Sequence, residues 1–333
     1  MNNHFRIEAF WYSQSKLTYL VWPLHFIFLI IVQLKYLLYK IGFLSSNKFS
    51  KAVLVIGNIS VGGTGKTPFI NQLVQELNKR KIKVGIVSRG YCSNITTVPH
   101  QVTKLNTVDE VGDEAFMQFS NLNIPIVIDP NRSRAVNYLI ENNDIDLVIS
   151  DDGLQHYKMS RDLEFVMFDG QRKFGNQMIL PLGPLREPVR RLNSVDLVIQ
   201  NGEQSNSFSN YVVKLNPVSL INLKSLKETS LKEFSGKSAH CVAAIGNPNR
   251  FFNAISKLCK IESETTFLDH YAFKLNDFES FNDDIVVMTE KDATKCFSFA
   301  KEHWYYLKVE MSLDKNLIEK IISKIIAVID LKN

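Results

Sequence analysis

The sequence predicts an α/β fold, and three observations predict it. An apolar run, Val53-Leu54-Val55-Ile56, feeds a glycine-rich turn that ends in Gly65-Lys66-Thr67. Further strand-length apolar runs recur through the middle of the chain, separated by stretches with helical spacing. A long apolar stretch stands ahead of both at the N-terminus. Buried strands alternating with helices make a parallel sheet with helices on both faces. Together these features describe a P-loop NTPase-like parallel sheet, a second, smaller α/β domain and an N-terminal membrane-associated helix. The expected division is 1–48 for the helical segment, 49–203 for the core and 204–333 for the smaller domain.

The first element runs from Leu17 to Leu34 and is nearly all apolar. About 18 such residues is the lower limit for crossing a bilayer core. Pro23, His25 and Gln33 weaken a free span, and no small-residue cleavage site follows, so the segment should stay attached. Lys35, Lys40, Lys48 and Lys51 follow it whereas Arg6 and Lys16 precede it, which places the downstream chain on the cytoplasmic side. Three arrangements stay open: spanning the bilayer, lying in its interface, or packing as a core helix.

The second element is the loop Gly57–Pro68. Gly62, Gly63 and Gly65 let backbone N–H groups close around phosphate oxygens; with Ser60, Val61 and Thr64 they form the expected nucleotide cradle. Lys66 is placed to reach the β- and γ-phosphates of ATP, and the Thr67 hydroxyl to hold Mg2+. Pro68 marks the start of the next helix, Phe69–Leu77, where no N–H donor is needed. Ser60 stands where the usual pattern opens with glycine.

Strands are expected at Val84–Val87, Ile124–Ile128, Leu147–Ile149, Phe165–Phe168 and Leu197–Ile199, with helices at Glu114–Phe119 and Ser133–Ile140. In such sheets ligands bind beyond the carboxyl ends of the strands. The polar stretch Asn201–Ser207 reads as a domain edge. Beyond it come strands near Cys241–Ile245 and Ile285–Met288 and an amphipathic helix over Leu317–Ile329.

At 333 residues, 45% hydrophobic and 22% charged, the chain is long enough for two folded domains. A net charge of +5 is too small for a dedicated nucleic-acid binder. Arg172, Lys173, Arg186, Arg190 and Arg191 nonetheless fall in one loop-rich stretch, which favours an anionic small molecule or headgroup. Four scattered cysteines give neither a zinc spacing nor a disulfide framework.

Asp151 and Asp152 end an apolar run, the place where P-loop enzymes hold magnesium. An Asp-Gly turn capping a helix is the alternative, and His156 reads as ligand, phosphate contact or packed core residue. Asp113 opens a helix-like run, either as a favourable N-terminal charge or as the base that takes a proton from an acceptor hydroxyl. A carboxylate is a weak base at neutral pH, so it needs a neighbour to raise or relay its proton affinity; Asp269-His270 could supply one. The proline-rich stretch 180–188 holds Arg186 and Glu187 in a stiff loop, able to set an arginine against a transferring phosphoryl or merely a surface ion pair.

Taken in order, Gly57-Asn58 with Val61–Pro68, Ser88-Arg89-Gly90-Tyr91, Gly112-Asp113-Glu114, Asp151–His156, Leu182–Glu187, Asp269–Phe273 and Thr289–Ala293 make the chain resemble the tetraacyldisaccharide 4'-kinase family of Gram-negative bacteria. The resemblance implies transfer of the ATP γ-phosphoryl to the 4'-hydroxyl of a tetraacylated glucosamine disaccharide 1-phosphate. It implies the cytoplasmic face of the inner membrane as the place, with no nucleic-acid or protein partner. It also implies Asp113 as base, His270 as its partner, Arg186 near the phosphates, and Asp151, Asp152 and Glu187 as magnesium candidates beside Thr67. A membrane-recruited nucleotide switch is the rival from another class, distinguished by hydrolysis without an acceptor.

Overall fold

The computed structural model describes Trp11 and residues 21–202, 208–209 and 211–332. Arg6, Lys16, the first residues of the expected 17–34 run, and 203–207 of the expected domain edge lie outside the described residues. In chain order the elements that matter are α1 (Trp22–Lys40), β1 (Ala52–Gly57), α2 (Lys66–Lys79), β2 (Val84–Ser88), β3 (His100–Gln101), α3 (Val108–Val111), α4 (Asp113–Leu122), β4 (Ile126–Ile128), α5 (Arg132–Asn142), β5 (Leu147–Asp151), β6 (Leu163–Asp169) and β7 (Leu197–Asn201). They are followed by β8 (Tyr211–Asn222), β9 (Glu228–Ser230), β10 (Ser238–Ala243), α6 (Pro248–Ile255), β11 (Lys260–Thr266), β12 (Val286–Thr289), α7 (Glu290–Ala293), β13 (Trp304–Ser312) and α8 (Lys315–Asp330).

One sheet runs through the molecule in the order β11-β10-β12-β13-β8-β7-β6-β1-β5-β2-β4-β3, with β9 paired to β8. The half around β1 is parallel except at its β3 edge. Alternate β1 residues face opposite layers. Ala52, Leu54 and Ile56 pack with Phe69, Ile70 and Leu73 of α2, while Val53 and Val55 pack with Ala135, Val136 and Leu139 of α5. Burial on both faces explains why these strands read as unbroken apolar runs.

The expected division at 203/204 meets two facts of the packing. The 12-residue β8 pairs parallel with β7 through Tyr211–Val213 and antiparallel with β13 through Lys214–Asn222, so both lobes share one strand. The final helix α8, expected in the smaller domain, returns to the first lobe, where Leu317, Ile321, Ile322 and Ile325 join the β1 core. An amphipathic stripe records that a face is buried but not what buries it. The second lobe has its own parallel strands, β11, β10, β12 and β13, and its own apolar clusters around Phe251 and Trp304.

Helix α1 is the one described helix long and apolar enough to cross a membrane, with 6% of its most apolar window buried. That argues against a core helix. One stripe touches the first lobe: His25 is buried with Nδ1 3.0 Å from the Ile179 carbonyl, Phe28 and Leu29 join the β1 back face, and Tyr36 and Tyr39 meet Tyr157. The opposite stripe, Leu24, Ile27, Ile30, Ile31 and Leu34, is bare.

Candidate active site

The loop after β1 begins α2 earlier than expected. Gly65 is the N-cap, so Pro68 falls in the first turn instead of opening the helix. The first-turn N–H groups have no intrahelical acceptor, and a proline there removes a donor the helix does not use. Gly65 has φ +85°, and a Cβ on it would lie 2.2 Å from Asn201 Nδ2, so only glycine fits both the backbone and the neighbour. Asn201 Nδ2 donates to the Thr64 carbonyl at 3.0 Å and ties the loop to the end of β7. The position expected to open a domain edge is therefore a brace of the loop. Around Gly63 the space where a Cβ would stand is open.

The proline-rich stretch lines the mouth of the loop. Val61 N–H donates to the Pro184 carbonyl at 2.8 Å, Arg186 N–H donates to the Ile59 carbonyl at 2.7 Å, and Ser60 bridges Leu185. Arg186 then reaches Asp152, 2.9 Å from Oδ2, while Lys66 Nζ lies 3.3 Å from Oδ1 of the same carboxylate. Burial opposes ionisation of Asp152, but Lys66 and Arg186 overcome it and hold the carboxyl well below its usual range. Asp151 differs although it is adjacent. Its side chain accepts from the neutral Gln118 amide at 2.9 Å, and burial, with Glu114 and Asp152 nearby, pushes its carboxyl up to about 6. Thr67, at the second position of α2, is half-buried.

Glu187 does not join this group. Its side chain turns to the opposite side from Arg186 and accepts from the Tyr157 hydroxyl and from Gln155 Nε2 at 2.7 Å, with Arg191 Nε 3.2 Å away. These three groups satisfy the buried carboxylate within the protein. The expected basic patch is also dispersed. Arg191 is buried against Glu164 at 2.6 Å, Arg186 serves Asp152, and Arg172 bonds the Gly246 carbonyl of the second lobe, its guanidinium close over Gly62. Arg172, Arg186 and Arg191, close in sequence, are each claimed by a different partner. Burial, with Arg132, Lys35 and Arg89 around His156, brings its imidazole down to about 4.

Asp113 and His270 meet across the lobes. His270 Nδ1 lies 3.0 Å and 2.9 Å from the two carboxylate oxygens of Asp113. Gly112 makes the approach possible, since at φ +86° a Cβ on it would stand 2.4 Å from the Tyr91 carbonyl. The Tyr91 ring covers the imidazole, centroid to centroid 4.6 Å. Burial pushes the Asp113 carboxyl up, but the His270 hydrogen bond and the Lys291 and Lys295 ammonium groups outweigh it and bring it down to about 2. The neighbour expected to raise or relay the proton affinity of this carboxylate is in hydrogen-bond contact with it, and the donors and cations around it favour the ionised form. Lys291 and Lys295, which the sequence reading gave no role, lie 4.0 and 3.5 Å from Asp113 Oδ2. The cluster adjoins the phosphate loop, since the Cβ position of Gly246 is 3.0 Å from Gly63 N and 3.6 Å from Asp269 Oδ2.

A model of the tetraacyldisaccharide-1-P 4'-kinase family matches residues 17–327. The tetraacyldisaccharide 4'-kinase of Haemophilus influenzae is 45% identical over 306 residues, 91% of each chain. That of Methylobacillus flagellatus is 41% identical over 321 residues, 96% of this chain and 95% of the relative. A crystal structure of LpxK from Aquifex aeolicus in complex with ATP superposes with a TM-score of 0.77 at 25% identity, covering 94% of this chain and 99% of that one. With a strand-to-helix phosphate loop, an interlobe Asp-His pair and a family match over nearly its whole length, the chain belongs to the tetraacyldisaccharide 4'-kinase family.

Proposed function

We propose that the chain transfers the γ-phosphoryl of ATP to the 4'-hydroxyl of a tetraacylated glucosamine disaccharide 1-phosphate, at the cytoplasmic face of a bacterial inner membrane. The observation that carries this reading is the Asp113–His270 pair beside a P-loop. A nucleotide switch needs a positioned water, whereas transfer to an alcohol needs a group that receives the hydroxyl proton.

In this reading the backbone of Ser60–Gly65 and Lys66 bind the phosphates, and Lys66 exchanges Asp152 for a phosphate oxygen. Arg186 stands beside the transferring group. Asp113 receives the hydroxyl proton in concert with attack on phosphorus, the role kinases give an aspartate, while His270, bonded to it through Nδ1, positions the carboxylate. The acceptor O–H bond breaks toward the Asp113 carboxylate, the oxygen bonds to phosphorus, and the bond to the ADP oxygen breaks as ADP leaves.

The donor set fits Mg2+. Asp151 is a buried carboxylate pushed up to about 6, which a divalent cation would re-ionise, and the Thr67 hydroxyl is a hard oxygen ligand. Among the described residues no group of three or more His, Cys, Asp or Glu side chains could hold a metal alone. Asp151, Thr67 and, once Lys66 leaves it, Asp152 would therefore share the ion with nucleotide oxygens. When bound it would neutralise charge on the β- and γ-phosphates.

We read α1 as lying in the membrane interface. A spanning helix would have to pull the His25, Phe28, Leu29 and Tyr36 stripe off the first lobe. The bare stripe is apolar and suits the lipid side. Ile27→Asp with Ile31→Asp should abolish sedimentation with lipid vesicles while leaving ATP binding intact; unchanged sedimentation would refute the interfacial reading.

The test of the activity is labelled γ-phosphate transfer from ATP to tetraacyldisaccharide 1-phosphate in detergent micelles. Labelled lipid is the expected product. ATP hydrolysis without labelled lipid would replace the kinase by a switch.

A further inference from the structure

His25 is the one buried side chain of α1, and it is polar. Burying an imidazole costs free energy unless a hydrogen bond satisfies it, and Nδ1 lies 3.0 Å from the Ile179 carbonyl. A carbonyl carries no proton, so Nδ1–H donates. That carbonyl already accepts from Gly183 N–H at 3.1 Å within its own turn. The histidine is therefore not needed to rescue an orphan acceptor; its bond fastens α1 to the turn.

The turn leads directly to the phosphate loop. Ile179 bridges Leu185 and Leu185 bridges Ser60, so three backbone segments lie side by side. The bonds from Val61 N–H to the Pro184 carbonyl and from Arg186 N–H to the Ile59 carbonyl belong to the same ladder. Ile179, Leu185 and Ile59 share one apolar cluster, against which Phe28 and Leu29 of α1 pack. Two further contacts reach this region from the N-terminal segment. Trp11 Nε1 donates to the Pro181 carbonyl at 3.0 Å, and Lys35 Nζ donates to the Gln155 carbonyl at 3.2 Å, while the Gln155 amide donates to the Asn58 carbonyl at 3.2 Å.

We propose that His25 is a positioning residue that makes α1 a wall of the phosphate site: through the Ile179–Leu185–Ser60 ladder it fixes where Arg186 and the opening of the phosphate loop stand. The geometry does not depend on the kinase reading; the purpose given to Arg186 does. Arg186 follows Leu185 directly, and its guanidinium lies 2.9 Å from Asp152. A shift of the ladder carries the arginine with it. With one stripe bare and the other on the ladder, α1 joins lipid contact to phosphate geometry in a single element.

The test compares His25→Phe, which keeps an aromatic ring and loses the donor, with His25→Asn, whose Nδ2 can stand in for Nδ1–H. In lipid phosphorylation His25→Phe should lower kcat about fivefold or more while sedimenting with lipid vesicles as the native chain does, and His25→Asn should recover part of the loss. Amide hydrogen exchange should be faster in segments 59–61 and 184–186 of His25→Phe, where the Val61 and Arg186 N–H groups hold the ladder. In an Arg186→Ala background the same substitution should cost less than about twofold, because positioning acts through that arginine. Native kcat in His25→Phe, unmoved exchange, or an equal loss with and without Arg186 would overturn the proposal. Should His25→Phe not fold, Trp11→Phe removes the companion bond to Pro181 and must lower kcat in the same Arg186-dependent way; native kcat there would overturn it equally. Faster exchange in His25→Phe, beside a native chain that labels no lipid, would count against the kinase reading alone.

Discussion

The phosphate loop and the Asp113–His270–Lys291 cluster are neighbours built in opposite ways. The loop takes its shape from contiguous residues, 57–68, between a strand and a helix. The cluster joins residues 157 and 177 positions apart, from α4, the loop before β12, and α7. A locally encoded cradle can form wherever β1 and α2 form. The cluster exists only when the lobes are together, so nucleotide binding and proton transfer should respond to different substitutions.

The largest expected effect is on the loop. Lys66→Ala should lower lipid phosphorylation by about 10³-fold or more, within the range for losing a cation on the transferring phosphoryl, while leaving the imidazole nitrogen NMR signals of His270 unchanged. A moved His270 signal would show that the two regions are not separable. Next comes His270→Gln, expected to cost about 10²- to 10⁴-fold in kcat with ATP affinity retained. Equal losses in kcat and ATP affinity would collapse the comparison into a single site.

Asn201→Ala probes the joint between loop and sheet. It removes the hydrogen bond to the Thr64 carbonyl, worth about 1 kcal/mol, so titration calorimetry should find ATP bound about fivefold more weakly with little loss of kcat for saturated enzyme. A kcat loss larger than the affinity loss would instead assign Asn201 to lobe closure, through the Arg250 contact to its carbonyl at 3.3 Å. The smallest effect is on stability. The Asp113 carboxyl is at about 2 in the folded chain against an ordinary 3.8, so its contribution is present above 3.8 and is lost as pH falls toward about 2. Asp113→Asn should flatten denaturant-measured stability across that window, and an unchanged slope there would mean that the ion pairs do not stabilise the lobe contact.

Legibility in the sequence follows the same line. Strand, turn and helix around Gly65 could be read because glycine, lysine and threonine do their work within one turn of chain. The expected strands after Val84 recur as β2, β4, β5, β6 and β7, each lengthened at an end or trimmed by a residue or two. Asp113 and His270 could be singled out as a candidate base and its neighbour from residue type and family resemblance, but the geometry that unites them was not in either segment. Glu187 read as a site residue beside Arg186, and only the fold shows its contacts with Tyr157, Gln155 and Arg191. Lys291, quoted only within the Thr289–Ala293 piece, was given no role because its partners, Glu114 and the Asp269-His270 pair, lie in two other segments.

By itself the sequence determined the elements and the phosphate loop, because apolar periodicity, glycine freedom and first-turn donors act over a few residues. Tertiary structure decided which buried charges pair, which of two adjacent aspartates is held ionised by cations, that β8 serves both lobes, and which groups face His270. Each of these depends on burial and on partners far along the chain. Charges in a low-dielectric interior are settled by whatever donor or cation the fold brings within a few ångströms.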